Sequence, residues 1–275
     1  MKLGLALSGG GARGGIELGI LYTLVEKYHI KIDVITGTSI GAIVGGIYAS
    51  GMKIEEMMNF LYLFEASKYL EDISLLIPNE RSIRKRLNSY LKLYRSINLL
   101  SNREYLDDGK KLTELFKVLT RNKDFEDCDI RFGVNAVDLM SGREIYITKG
   151  KLYKAIRASM SLPGIFKPVE IDGMLLIDGG TVCNIPVTLA RKLGAERVIA
   201  IDIREEGLRN FSNGFEILWR AGTIAAEGIT DEELKKADRI ISIPTDVDTL
   251  DFDRMDECLE LGMNYDISHI MKIIY

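Results

Sequence analysis

The five residues Gly37-Thr38-Ser39-Ile40-Gly41 have a spacing that can make a serine reactive. In a GxSxG turn between a strand and a helix, the two glycines leave room for a sharp, strained reversal. The serine hydroxyl is then held out at the end of the strand, and the following helix points its positive N-terminus at any anion formed there. Such a serine serves as a nucleophile toward an ester carbonyl if two further parts exist: a base for its proton and donors for the developing oxyanion. For the donors, the candidates are Gly9, Gly10 and Gly11, in the run Gly9-Gly10-Gly11-Ala12-Arg13-Gly14. Bare backbone N–H groups in a glycine loop suit an oxyanion hole. The same run also satisfies GxGxxG, and Asp33 lies near the distance at which a dinucleotide-binding unit places its ribose-binding acid. Asp33, however, falls inside the second predicted strand, and the end of that strand is taken by the serine turn. A structural turn is the third reading of the loop.

The base is the unusual part. The chain has two histidines, whereas a triad needs one at the catalytic edge. His29 precedes the nucleophile strand, at the opposite edge of the sheet, and His269 lies in an apparently amphipathic helix close to the C-terminus. Neither sits in a loop next to Ser39. Asp178, in Asp178-Gly179-Gly180, is the better candidate, because a strand ending in two glycines lets a carboxylate approach another backbone closely. An aspartate before Gly-Gly is also a common turn residue, so the assignment rests on the three motifs together.

The elements that must position these residues follow from hydrophobic spacing. Residues 3–7 read as a buried strand, 15–28 as a helix with Ile16, Ile20, Leu24 and Tyr28 on one face, 30–36 as a strand and 42–49 as a buried helix. Strand–turn–helix repeated in this way predicts a parallel sheet covered by helices. From about residue 54 to 129 only helical patterns and loops occur, which reads as a helical cap inserted into the α/β core. Strands resume at 130–138 and 144–148, and a helix is predicted over 151–159. Asp172-Gly173 marks a hairpin between 168–171 and 174–177. Pro186 opens a helix that stops at Gly194. Strands at 197–203 and 239–243 flank a helix around 215–227, and a last helix is expected over 255–274.

The three motifs in this order resemble the patatin-like phospholipase family. The resemblance extends from Leu3 to about Ile203 and includes Ala158-Ser159-Met160-Ser161-Leu162-Pro163, Phe166, Pro168 and Asn184-Ile185-Pro186. It implies a three-layer α/β/α sandwich with a mainly parallel central sheet. It also implies a Ser–Asp dyad that hydrolyses acyl lipids through an acyl-enzyme, with Ser39 as nucleophile, Asp178 as base and Gly10 and Gly11 as oxyanion donors. Arg13, Gly14, Gly37, Gly41, Gly179 and Gly180 support the motifs. Ser8 stands where some members carry Asp, and Arg13 where others carry Lys. The stretch 54–129 carries none of the motifs quoted for the resemblance.

Composition narrows the alternatives. The 275 residues suit a single domain over 1–275 carrying the cap. A net charge of −4 argues against a nucleic-acid partner. No run approaches the ~20 apolar residues of a membrane span. Cys128, Cys183 and Cys258 lack the spacing of a zinc site or a disulfide framework, which points to a reduced cytoplasmic setting; the patatin-like resemblance implies no metal or organic cofactor. Within 81–95, Arg81, Arg84, Lys85, Arg86, Lys92 and Arg95 accompany Ile83, Leu87, Tyr90, Leu91 and Tyr94. A segment of this kind either lies on an anionic membrane surface or packs its apolar stripe on the core. The expected substrate is an acyl lipid or small acyl ester. The alternatives are an acyltransferase of the same fold and a non-catalytic lipid-binding regulatory protein.

Overall fold

The computed structural model describes residues 1–64, 68–69, 104–204 and 214–271. Its centre is an eight-stranded sheet built from β1 (Leu3–Leu7), β2 (Val34–Gly37), β3 (Arg131–Asp138), β4 (Glu144–Ile147), β5 (Val169–Ile171), β6 (Met174–Asp178), β7 (Arg197–Asp202) and β8 (Arg239–Ser242). The hydrogen-bonded order is β5-β6-β3-β2-β1-β7-β8, and β4 also pairs with β3. β3, β2, β1, β7 and β8 are parallel; β4, β5 and β6 add antiparallel pairs at one side.

Both faces of the sheet are covered, and strand alternation assigns side chains to them. Leu3, Leu5, Leu7 and Ile35 belong to one buried cluster. α1 (Gly14–Tyr22), α2 (Ile40–Ala49), α3 (Ile54–Leu63), α4 (Lys110–Leu119), α5 (Leu152–Ser159) and α8 (Met255–Met263) pack there. Ala6, Val34, Val198 and Ala200 join the other cluster, with Val187 and Ala190 of α6 (Val187–Lys192) and Leu234 of α7 (Gly214–Leu234). The result is the expected three-layer α/β/α sandwich. Each large side chain fully buried there, such as Ile16, Ile20 or Leu24 on α1, contributes about 1.5–3 kcal/mol of burial.

Three expectations need correction. The helix expected over 15–28 is α-helical only to Tyr22 and continues as a wider π turn, Thr23–Lys27. The second strand starts at Val34, not 30, although Ile30 and Ile32 are buried on approach. The last helix is broken: α8 ends at Met263, and a short α9 (Ser268–Met271) follows Asp266, whose carboxylate accepts from Ser268 N–H at 2.8 Å. Of the stretch 54–129, α3 and α4 contribute Ile54, Met57, Leu112, Phe116 and Leu119 to the main core. The basic segment 81–95 lies outside the described residues. Among the described residues no helix is long and apolar enough to cross a membrane, and no cluster of three His, Cys, Asp or Glu could hold a metal ion.

Candidate active site

The register brings the two candidate catalytic residues together. Gly37 at the end of β2 pairs with Val134, and Asp178 at the end of β6 pairs with Ala136. β4 also pairs with Ala136 and Val137, so β6 must occupy the opposite edge of β3, the edge that β2 uses. β2 and β6 therefore run toward each other along one edge of β3 and stop two residues apart. The gap between them is the site.

Ser39 fills the turn at the end of β2, with φ 53° and ψ −115°. A non-glycine residue in that region is strained and is kept there only by its surroundings. Those surroundings are specific. Thr38 N–H donates to Leu7 O at 3.1 Å. Thr38 Oγ1 donates to Asn135 Oδ1 at 2.7 Å, and Ser39 N–H donates to Ser159 Oγ at 3.0 Å. A Cβ on Gly37 would meet Gly41 backbone at 2.3 Å, and one on Gly41 would meet Leu7 Cβ at 2.7 Å. Ser39 itself is half-buried, and α2 begins at the next residue.

Asp178 is buried, and Oδ1 accepts from Gly180 N–H at 2.7 Å. Oδ2 has no full hydrogen bond, although the Ser39 hydroxyl is close enough to favour the ionised carboxylate. Burial dominates and pushes the Asp178 carboxyl up to about 7, against the lowering effects of the Ser39 hydroxyl and Gly180 N–H. Glycines make the approach possible: a Cβ on Gly179 would lie 2.5 Å from Asn135 Oδ1, and one on Gly180 would lie 2.9 Å from Asn184 Oδ1.

The glycine loop forms the third wall. A Cβ on Gly9 would sit 3.2 Å from Ser39 Cβ, so the loop lies against the serine turn. Gly9 N–H is already donated to Asn184 O at 3.2 Å. Gly9, expected among the donors, is thus engaged; those open to a ligand are Gly10 and Gly11, half-exposed and without a protein acceptor among the described residues. Gly11 has φ +57°, and a side chain there would collide with Thr249 O. Gly14 lets α1 meet α2, since a Cβ would stand 2.1 Å from Ile40 Cγ1. Arg13 is a buried clamp: Nε donates to Ile203 O at 2.8 Å, Nη1 to Val247 O at 3.2 Å and Nη2 to Thr249 Oγ1 at 3.1 Å.

Several supporting residues have roles that only the fold assigns. Asn135 Nδ2 donates to Glu144 Oε1 and Cys183 O, so one side chain ties the serine turn, β4 and the loop after Asp178. Its signal was a lone amide in a buried strand. Asn184 Nδ2 donates to Gly9 O at 2.9 Å, and its own N–H donates to Thr230 Oγ1. Arg157, buried, donates to Ser161 Oγ at 2.6 Å and to the carbonyls of Gly109, Asp108 and Lys167. Ser161 O in turn accepts from Asp178 N–H at 2.9 Å. Burial holds the Arg157 guanidinium down to about 10. Glu17, an acid on the otherwise apolar α1, accepts from Ser8 N–H at 2.6 Å just before the glycine loop, and burial raises its carboxyl well above the usual range.

The histidines lie elsewhere. His269 is exposed, with Nδ1 3.1 Å from Asp266 O. His29 is exposed and lines an open cleft of about 600 Å³ with Lys2, Lys31, Asp33, Tyr48 and Arg131. That cleft opens at the N-terminal edge of the parallel strands, the far end of the sheet from Ser39. It is roomy, yet it holds none of the residues assembled around the serine.

Known proteins resemble this chain in sequence and in fold. A family model described as patatin-like phospholipase matches residues 5–191. Lysophospholipase NTE1 of Scheffersomyces stipitis is 28% identical over 96% of the chain, and patatin-like phospholipase domain-containing protein 7 of Rattus norvegicus is 29% identical over 96%. The chain spans 17% and 20% of those relatives' lengths. The crystal structure of VipD from Legionella pneumophila superposes with a TM-score of 0.57 at 16% identity, over 99% of this chain and 66% of that one, a likeness of fold alone. With the family model covering more than half of its residues, the chain belongs to the patatin-like phospholipase family.

Proposed function

We propose that the protein is a serine hydrolase of acyl lipids, of the phospholipase or lysophospholipase kind, working through Ser39 and Asp178. The observation that carries the reading is the orphaned Oδ2 of buried Asp178 facing a serine held at φ 53°. An acceptor left without a partner costs free energy; a serine proton in flight would satisfy it. Asp178 takes the Ser39 Oγ proton as Oγ attacks the ester carbonyl carbon. The carbonyl oxygen becomes an oxyanion, to which Gly10 and Gly11 N–H donate, near the positive end of α2. Collapse breaks the ester C–O bond, and the leaving alcohol takes the proton from Asp178. Water then attacks the acyl-Ser39 carbonyl, again giving its proton to Asp178. The acid is released, and Ser39 Oγ recovers the proton.

The relatives named lysophospholipase support a lipid ester as substrate. A carboxyl titrating near 7 fits a general base better than an ordinary aspartate does. The test is labelling with a fluorophosphonate, followed by peptide mass spectrometry and a lysophospholipid and phospholipid panel. Label on Ser39 with release of free fatty acid is the expected result. A labelled residue other than Ser39, or no acyl release from any lipid, would end the reading.

A further inference from the structure

Two elements project beyond the catalytic level, and both expose apolar side chains. The first is the β3–β4 turn. Asp178 pairs with Ala136, whereas β3 continues to Asp138 before turning. Two strand residues advance about 7 Å, so Leu139 and Met140 stand past the dyad. They are 50% and 81% exposed. The turn is pinned: Leu139 N–H donates to Leu175 O at 2.8 Å, Ser141 Oγ to Asp138 Oδ2 at 2.6 Å and Gly142 N–H to Asp138 O at 2.8 Å. Tips of this kind are ordinarily polar. Beside them Arg143 is exposed and forms no ion pair among the described residues.

The second is the first half of α7. The helix descends along the sheet. Thr230 meets Asn184, Glu233 meets Thr188, and Asp238, beyond the helix end, meets Val198. Thr230 is therefore at the level of the site. At 1.5 Å per residue, Ile224 and Ile217 lie roughly 9 and 20 Å above it along the axis. They are 54% and 53% exposed, and their spacing of seven puts them on one face with exposed Ala221. Scattered apolar residues are normal on a surface. Here they crown two separate projections on the side where the site opens.

We propose that the β3–β4 turn and the first half of α7 enter a phospholipid surface, with Leu139, Met140, Ile217 and Ile224 as the inserted side chains and Arg143 at headgroup phosphate. This rests on the lipid-ester reading of Ser39 and adds the surface through which the site reaches its substrate. A plane of lipid can receive both projections at once, and the acyl lipid read as the substrate of Ser39 lies in such a plane.

The test separates docking from chemistry. Co-sedimentation with phosphatidylcholine vesicles uses the full chain carrying Ser39→Ala, so the vesicles stay intact. Hydrolysis of the same vesicles and of p-nitrophenyl butyrate uses the active chain. The paired variants are Leu139→Glu with Met140→Glu, and Ile217→Glu with Ile224→Glu. Each pair should lower vesicle binding and vesicle hydrolysis by roughly ten- to hundredfold, since each removes two inserted side chains, while soluble-ester turnover stays within about twofold. Vesicle binding unchanged in both pairs overturns the proposal. So does binding that needs anionic lipid and vanishes with salt, which would assign docking to cations instead. A dimer in sedimentation velocity that either pair dissociates would assign the surface to a second copy. If the wild type cleaves no ester, the Ser39 reading fails, and co-sedimentation still decides the docking.

Discussion

His29 and Ser39 stand on either side of β2, and both have a left-handed backbone, with φ of 52° and 53°. One is an exposed histidine beside a cleft of about 600 Å³; the other is a half-buried serine in a tight gap. Cavity size and an imidazole would favour the first. The acids tell them apart. Asp33, in the cleft, has both oxygens engaged: Oδ2 accepts from Leu3 N–H at 3.0 Å, and Oδ1 lies 3.3 Å from Lys31 Nζ. Asp178 is buried with one oxygen unsatisfied. Backbone strain occurs at both ends of the strand, so strain alone does not mark a reactive site. Under the proposed dyad, what sets Ser39 apart is that its strained turn faces the unsatisfied buried carboxylate of Asp178.

The largest expected effects break the comparison most directly. Ser39→Ala and Asp178→Asn should each lower hydrolysis of a soluble ester by at least about 10³-fold, because the two act as one unit. His29→Ala and His269→Ala should stay within about twofold. Steady-state kinetics on folded variants checks this. A large loss in His29→Ala would move the base to the N-terminal edge.

Next is the clamp on the glycine loop. Arg13→Met orphans the acceptors at Ile203 and Val247 and frees the loop that carries Gly10 and Gly11. An oxyanion donor is worth about 10²–10³ in rate, and a loosened loop should lose up to about 10² in kcat with little change in KM. Arg131→Met, at the other edge, removes an exposed hydrogen bond to Leu193 O and should leave kcat alone. A change confined to KM in Arg13→Met would make the loop a binding element instead.

pH sharpens the contrast between the acids. Asp178 titrates at about 7 when folded and near 3.9 when unfolded. Between those values the native state keeps a proton that the unfolded chain has lost, so this group makes stability fall as pH rises through the window. With Asp178 as the proposed base, turnover requires its carboxylate and should rise through the same window. The stability of Asp178→Asn minus that of the wild type should therefore grow from pH 4 to pH 8, while wild-type kcat/KM climbs. Denaturant midpoints at each pH and a pH–rate profile measure the two. A rate that falls as pH rises from 5 to 8 would contradict Asp178 as base.

Much of this was legible in the sequence because it is local. Glycine spacing fixes the serine turn within five residues, and Asp172-Gly173 fixes the β5–β6 hairpin that delivers Asp178. The parts that were not legible depend on distant partners. Nothing near Asn135 says that its amide joins Thr38, Glu144 and Cys183. Arg13 reads as motif support, and only the fold reveals Val247 and Thr249 beneath it. Gly9 looks equivalent to Gly10 until Asn184, far along the chain, takes its N–H. The break after Met263 escaped because Tyr265 and Ile267 preserve an apolar pattern, while the Asp266 cap competes with helical continuation.

The smallest expected effect returns to the two strained residues. Glycine adopts a positive φ without the Cβ penalty, a relief of about 1–2 kcal/mol, offset by about 0.5–1 kcal/mol from the greater freedom of unfolded glycine. His29→Gly should therefore stabilise the fold by no more than about 1.5 kcal/mol, with turnover unchanged, because nothing at the N-terminal edge uses the strain. Ser39→Gly should show a gain of similar size and no hydrolysis at all, because there the strain aims the hydroxyl at Asp178. Chemical unfolding of both variants beside an ester assay makes the comparison. A His29→Gly protein that is less stable, or slower, than wild type would mean that the imidazole or its backbone geometry carries a constraint of its own, and the two ends of β2 would have to be treated as a pair of functional sites.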